Sequence, residues 1–141
     1  MTRERVRIVL VEDDSADAEL TVRAIRRCAT DVEIDVVRDG AAALELLGGD
    51  GGGWRGASVV LLDLKLPKVD GLEVLRRIKS DARTRAVPVV VVSSSREDRD
   101  VRESYGAGAN SYVVKPLDAA EFDDVVGRLA QYWLTLNQPP V

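Results

Sequence analysis

The 141-residue sequence predicts an α/β domain built on a parallel sheet. Short runs rich in valine, isoleucine and leucine alternate five times with stretches of helical periodicity. The runs are apolar on both faces, as in strands covered by helices on both sides. Polar side chains stand just after the runs: Glu12 and Asp13, Asp63, Ser93 and Lys115. A parallel α/β sheet binds ligands at the C-terminal ends of its strands, which is where these residues fall.

The first strand is expected over Val6–Val11. A helix follows from about Ser15 to Cys28, with Leu20, Ala24, Ile25 and Cys28 at helical spacing. Val32–Val37 reads as a second strand with a weaker pattern, hence an edge. Asp39 and Gly40 open a short helix over Ala41–Leu47. The glycine-rich segment 48–56 is expected as a surface loop, because so many glycines hold neither helix nor strand. It lacks the Gly-Lys-Ser/Thr ending of a Walker phosphate loop. Trp54 reads equally well as its anchor or as an exposed contact.

Ser58–Asp63 is a third strand, apolar until its last residue. Asp70 with Glu73 forms a capping-box pattern ahead of a helix whose stripe is Leu72, Leu75 and Ile78. Pro88 precedes four valines, Val89–Val92, which fit a buried parallel strand. Ser95 with Asp98 reads as a second capping box, opening a helix to Tyr105. That helix is poor in apolar residues and is expected to be the most mobile element. Asn110–Val114 is the fifth strand. Asp118 caps a last helix carrying Phe122, Val126, Leu129 and Trp133 on one stripe. The whole chain, 1–141, reads as a single domain with an extended tail from about 134.

Composition narrows the function. A net charge of −4 disfavours non-specific nucleic-acid binding. No apolar run is long enough to span a membrane, and the N-terminus lacks a signal peptide's pattern, so a cytoplasmic protein is expected. The single cysteine, Cys28, excludes an internal disulfide and is expected as a small buried hydrophobe. Histidine is absent, which removes serine–histidine–aspartate catalysis and any phosphohistidine on this chain.

Glu12, Asp13, Asp63, Ser93 and Lys115 each have a plainer reading, as helix caps or surface groups. Together they make a metal-plus-phosphoryl site. Mg²⁺ takes oxygen ligands in an octahedral shell and keeps several waters. Glu12, Asp13 and Asp63 supply carboxylates, and Asp63 can attack phosphorus as a nucleophile. Lys115 offers a point charge to one phosphoryl oxygen, and Ser93 a hydrogen bond to another. No group activates water strongly, so an acyl phosphate is expected to persist as a signal, without separate substrate turnover.

Four segments carry a family resemblance: VEDD at Val11–Asp14, LLDLKLPKVDG at Leu61–Gly71, VVVVSSS at Val89–Ser95 and GAGANSYVVKP at Gly106–Pro116. In this order they resemble the receiver domain of two-component response regulators over nearly the whole chain. The resemblance implies a flavodoxin-like, doubly wound five-stranded sheet of order 2-1-3-4-5 flanked by five helices. It implies Asp63 as phosphoacceptor, Glu12 and Asp13 as the acidic pair, Ser93 as switch hydroxyl, Tyr112 as switch aromatic and Lys115 as the lysine. The Lys65 carbonyl would complete the Mg²⁺ shell. Serine stands at 93 where threonine is commoner in the family, and Lys65 sets a bulky cation at the mouth of the site.

Softer patterns, DSADAELTVRAIRR, LKLPKVDGLEVLRRIK and YWLTLNQPP, resemble the single-domain regulators of bacterial and cyanobacterial phytochromes. They imply a sensor histidine kinase, a bacteriophytochrome, as phosphoryl donor, and no DNA-binding output domain. They also imply a homodimer through the helix 4–strand 5–helix 5 side, for which Tyr132, Trp133, Leu134 and Leu136 offer apolar surface. Alternatives remain. A phosphorelay intermediate would pass the group to a histidine phosphotransfer protein. A structural binding module would keep the residues without the chemistry. A haloacid-dehalogenase-type hydrolase needs a second aspartate two positions after the first, where this chain has Lys65.

Overall fold

The computed structural model describes residues 6–48 and 56–140, so residues 49–55 of the glycine-rich segment, Trp54 among them, lie outside the described residues. The described elements run β1 (Arg7–Val11), α1 (Ser15–Cys28), β2 (Glu33–Val37), α2 (Gly40–Gly48), β3 (Val59–Leu62), α3 (Gly71–Ser80), β4 (Val89–Ser93), α4 (Asp98–Gly106), β5 (Ser111–Val114) and α5 (Ala119–Gln131). A π-helical turn, Tyr132–Leu136, continues α5. The strands pair in parallel in the order β2-β1-β3-β4-β5. This is the order that the family resemblance implies.

Alternation along the strands explains why the sheet is covered twice. Val9, Val11, Val60, Leu62, Val89 and Val91 face a layer that holds Ala43 of α2 and Val74, Leu75 and Ile78 of α3. Ile8, Leu10, Val59, Leu61, Val90 and Val92 face the other layer, with Ala18, Ala24 and Ile25 of α1 and Phe122, Val126 and Ala130 of α5. The valine runs are thus apolar throughout because both of their faces are buried.

Helix starts follow their capping residues. Asp14 accepts a hydrogen bond from the Asp17 N–H, Asp70 from the Glu73 N–H, and Asp118 from those of Ala120 and Glu121. The second capping box is not formed. The N-cap of α4 is Glu97, without a side-chain cap bond. Ser95 lies outside the helix, where its hydroxyl accepts from the Glu97 N–H and donates to Asp100.

Two further expectations change. Cys28 is exposed: the core stripe of α1 ends at Ile25, and the thiol donates to the Gly127 carbonyl at 3.5 Å. The chain stays helical through Leu136, so extended backbone begins at Asn137 and not near 134. All described peptide bonds, Lys115–Pro116 among them, are trans.

Candidate functional site

The ends of the strands place the site residues through main-chain bonds. The Glu12 N–H donates to the Val37 carbonyl, Asp63 N–H to Val11, and Lys115 N–H to Ser93. Each functional residue is therefore tied to the last rung of a neighbouring strand, and rigid elements hold the set. Glu12, Asp63 and Ser93 are buried, while Asp13 is exposed.

Lys115 reaches into this edge from β5. Its ammonium donates to Glu12 Oε1 at 2.5 Å, to Asp17 Oδ2 at 3.0 Å and to Asp63 Oδ2 at 3.1 Å. Asp63 Oδ1 accepts from the Lys65 N–H at 3.2 Å, and Glu12 Oε2 from the Asp14 N–H at 3.3 Å. Burial, reinforced by the neighbouring Asp63 and opposed by Lys115, raises the Glu12 carboxyl to about 7. Burial disfavours the charged lysine, but Glu12 and Asp63 outweigh it and raise the Lys115 pKa. Crowded carboxylates facing one cation call for further positive charge.

Glu12, Asp13 and Asp63 can each present an oxygen within 4.8 Å of the others. An octahedral ion with ligands at about 2.1 Å needs oxygens separated by roughly 3–4 Å. The cluster matches a small divalent cation after a slight closing movement, and its all-oxygen donor set suits a hard ion.

The loop after β3 supports the cluster. Its close packing explains two glycines: a Cβ on Gly71 would lie 2.1 Å from the Asp63 carbonyl oxygen, and one on Gly40 1.7 Å from that of Val69. Lys68 adopts a positive φ of 71° in the same loop. Lys65 is exposed at its mouth. A cleft of about 310 Å³ opens beside it, with Lys65, Ser93, Ser95 and Asp100 in its walls.

Ser93 connects to the aromatic on β5. Its hydroxyl oxygen accepts from the Ser95 N–H at 3.1 Å, and the Ser95 carbonyl accepts from the Tyr112 hydroxyl at 2.9 Å. Two residues of this network escape sequence reasoning. Asp17 reads as an ordinary acid in the first turn of a helix, and nothing local says that it faces Lys115. Ser95 reads as a cap, although its role is to join Ser93, Tyr112 and Asp100.

The response regulator receiver domain model matches residues 8–127. This chain belongs to the response regulator receiver family. The receiver is 46% identical to a probable methanogenesis regulatory protein FilR2 of Methanothrix harundinacea, over 94% of this chain and 86% of that one. It is similar to the phosphorylated cyanobacterial phytochrome response regulator RcpA, with a TM-score of 0.91, 34% identity and coverage of 98% and 100% of the two chains. It also resembles the Mn²⁺-bound form of response regulator Rcp1, a protein of Synechocystis, with a TM-score of 0.89, 34% identity and coverage of 96% and 99%. As a receiver, the chain is a phosphoacceptor that signals through protein contacts. Its chemistry is phosphoryl transfer to and from itself, not turnover of a separate substrate. Its acidic cluster can coordinate a divalent metal. No helix among the described residues is long and apolar enough to cross a membrane.

Proposed function

We propose that Asp63 is the phosphoacceptor, that Mg²⁺ is the working metal, and that the donor is a sensor histidine kinase of the phytochrome class. The observation that carries this is the Lys115 ammonium 3.1 Å from Asp63 Oδ2, inside a cleft that also holds Glu12 and Asp13. An Asp63 oxygen attacks phosphorus, the P–N bond to the kinase histidine breaks, and an aspartyl phosphate forms. Lys115 meets charge on the phosphoryl oxygens. Ser93, two main-chain steps from the Tyr112 hydroxyl, turns toward the phosphoryl group and gives up the Ser95 N–H, and Tyr112 responds as the switch aromatic. Glu12, Asp13, Asp63 and the Lys65 carbonyl would hold Mg²⁺, which would supply charge neutralisation between the acids and the incoming phosphoryl group.

The phytochrome assignment draws on the likeness to RcpA along nearly the whole chain. The output is a change of protein contacts in the cytoplasm, including a homodimer through the α4–β5–α5 side. Tyr132 and Leu136 are exposed on the last turns, beside the partly covered Trp133 and Leu134. A groove between β5 and α5, lined by Ser111, Val113, Leu129 and Trp133 among others, gives that side its shape.

The test is intact-protein mass after incubation with acetyl phosphate and Mg²⁺, for wild type and Asp63→Asn, with size-exclusion chromatography of the same samples. One phosphoryl adduct on the wild type alone is expected, with earlier elution if assembly is the output. An adduct retained by Asp63→Asn overturns the assignment. Transfer from the labelled wild type to histidine phosphotransfer domains would place the protein within a relay.

A further inference from the structure

We propose that Asp17 is a positioning residue for Lys115: it holds the ammonium on the α1 side of the cleft in the resting state and releases it when a phosphoryl group arrives. The proposal rests on the phosphoacceptor reading above. An ammonium has three N–H donors. All three are committed here, to Glu12 at 2.5 Å, Asp17 at 3.0 Å and Asp63 at 3.1 Å. Lysine therefore has no donor left for a phosphoryl oxygen until one carboxylate is given up.

The surroundings single out which one. The Glu12 side chain is 4% exposed and that of Asp63 10%, so losing the cation leaves either without water. The Asp17 side chain is 30% exposed, and water can replace the ammonium there. Asp17 is also independently fixed. Its N–H is held by Asp14 and its carbonyl accepts from the Thr21 hydroxyl, so the first turn of α1 does not depend on the lysine. Its oxygen lies outside the Glu12, Asp13 and Asp63 set that can share one cation. Asp17 thus acts on the lysine and not through the metal. A partly exposed carboxylate on a fixed helical turn, competing for a buried ammonium, sets how readily Lys115 turns to the phosphoryl group.

The chain has four lysines, which makes side-chain ammonium resonances assignable with one Lys115→Arg control. The experiment compares wild type, Asp17→Asn and Asp14→Asn, each free and loaded with beryllofluoride and Mg²⁺. It adds the rate of phosphorylation by acetyl phosphate below saturation. Asparagine preserves the cap at 14 while removing a nearby charge, so that variant reports the general charge effect. In the free proteins, the Lys115 ammonium signal is expected to shift in Asp17→Asn alone. In the loaded proteins, wild type and Asp17→Asn are expected to coincide, because the lysine has left residue 17. Phosphorylation of Asp17→Asn is expected to be about three- to fivefold faster, the range set by losing an ion pair worth up to about 1 kcal/mol. Asp14→Asn is expected to change the rate less than twofold.

An unshifted free signal, a difference that survives loading, or an equal acceleration in Asp14→Asn overturns the proposal. A wild type that takes up neither beryllofluoride nor phosphate overturns the phosphoacceptor reading and, with it, the release. A wild type that takes up both while Asp17→Asn behaves identically overturns the role of Asp17 alone.

Discussion

The Tyr112 hydroxyl donates to the Ser95 carbonyl at 2.9 Å, which fastens β5 to the segment that leads into α4. Ser95 in turn donates its N–H to the Ser93 hydroxyl at 3.1 Å and its own hydroxyl to Asp100 on α4 at 2.5 Å. One backbone residue thus stands between the buried hydroxyl of the site and the surface helix. Ser93→Ala leaves the Ser95 N–H without its partner and is expected to cost about 1 kcal/mol. Metal binding should persist, because no carboxylate is touched. The response of the Tyr112 ring to beryllofluoride, read by NMR among only three tyrosines, should be lost. A wild-type Tyr112 response in Ser93→Ala would show that the signal takes another route.

Lys115→Ala removes the cation from two buried carboxylates, Glu12 and Asp63. Stripping one partner from a buried ionic cluster typically costs about 3–5 kcal/mol. Added Mg²⁺ should recover part of this by replacing the lost charge. Thermal melts with and without metal are expected to show a larger rise for Lys115→Ala than for the wild type. Equal rises in the two proteins would mean that lysine and metal do not answer the same excess of negative charge.

The metal-free protein should lose stability as pH rises through neutrality. Burial, with Asp63 beside it, raises the folded Glu12 carboxyl to about 7 from an ordinary value of 4.5. A folded value above the unfolded one means that the folded protein binds the proton more tightly. This contribution is fully present below about pH 4.5 and is lost as pH passes through 7. Chelator-treated wild type should therefore melt lower at pH 8 than at pH 6, with the step absent in Glu12→Gln. A step of the same size in the variant would assign it to other groups.

Much of this was legible in the sequence because the signals are local and repeated. Val89–Val92 are apolar at every position because β4 is buried on both faces, and Asp70 and Asp118 are seen capping where their spacing puts them. Asp63 stands out because a carboxylate ends an apolar run. What escaped depends on tertiary approach. Ser95 has a cap's composition but lies before α4, tied instead to Tyr112 seventeen residues on. Cys28 keeps helical spacing from Ile25, yet α5 meets it with the backbone of Gly127 and leaves it exposed. Asp17 meets a lysine 98 residues away, a distance over which no periodicity carries information.

Gly71 and Gly106 make a paired test of how tightly the loop after β3 supports the site. An alanine Cβ at 71 would sit 2.1 Å from the Asp63 carbonyl oxygen and 2.6 Å from the Leu64 Cα, both main-chain atoms that cannot step aside. The loop must move, and Asp63 with it. Gly71→Ala is expected to cost at least about 2 kcal/mol, within the range of overpacked core sites. It should also slow phosphorylation by acetyl phosphate severalfold, since small misplacements of a reacting group are costly. A Cβ on Gly106, the last residue of α4, would meet nothing within 4 Å. Gly106→Ala should be neutral or stabilise by about 0.5–1 kcal/mol through the unfolded chain, leaving the rate unchanged. Denaturant unfolding and the phosphorylation rate, measured on both variants, separate the two positions. A Gly71→Ala protein with wild-type stability and rate would mean that the loop yields without carrying Asp63 along.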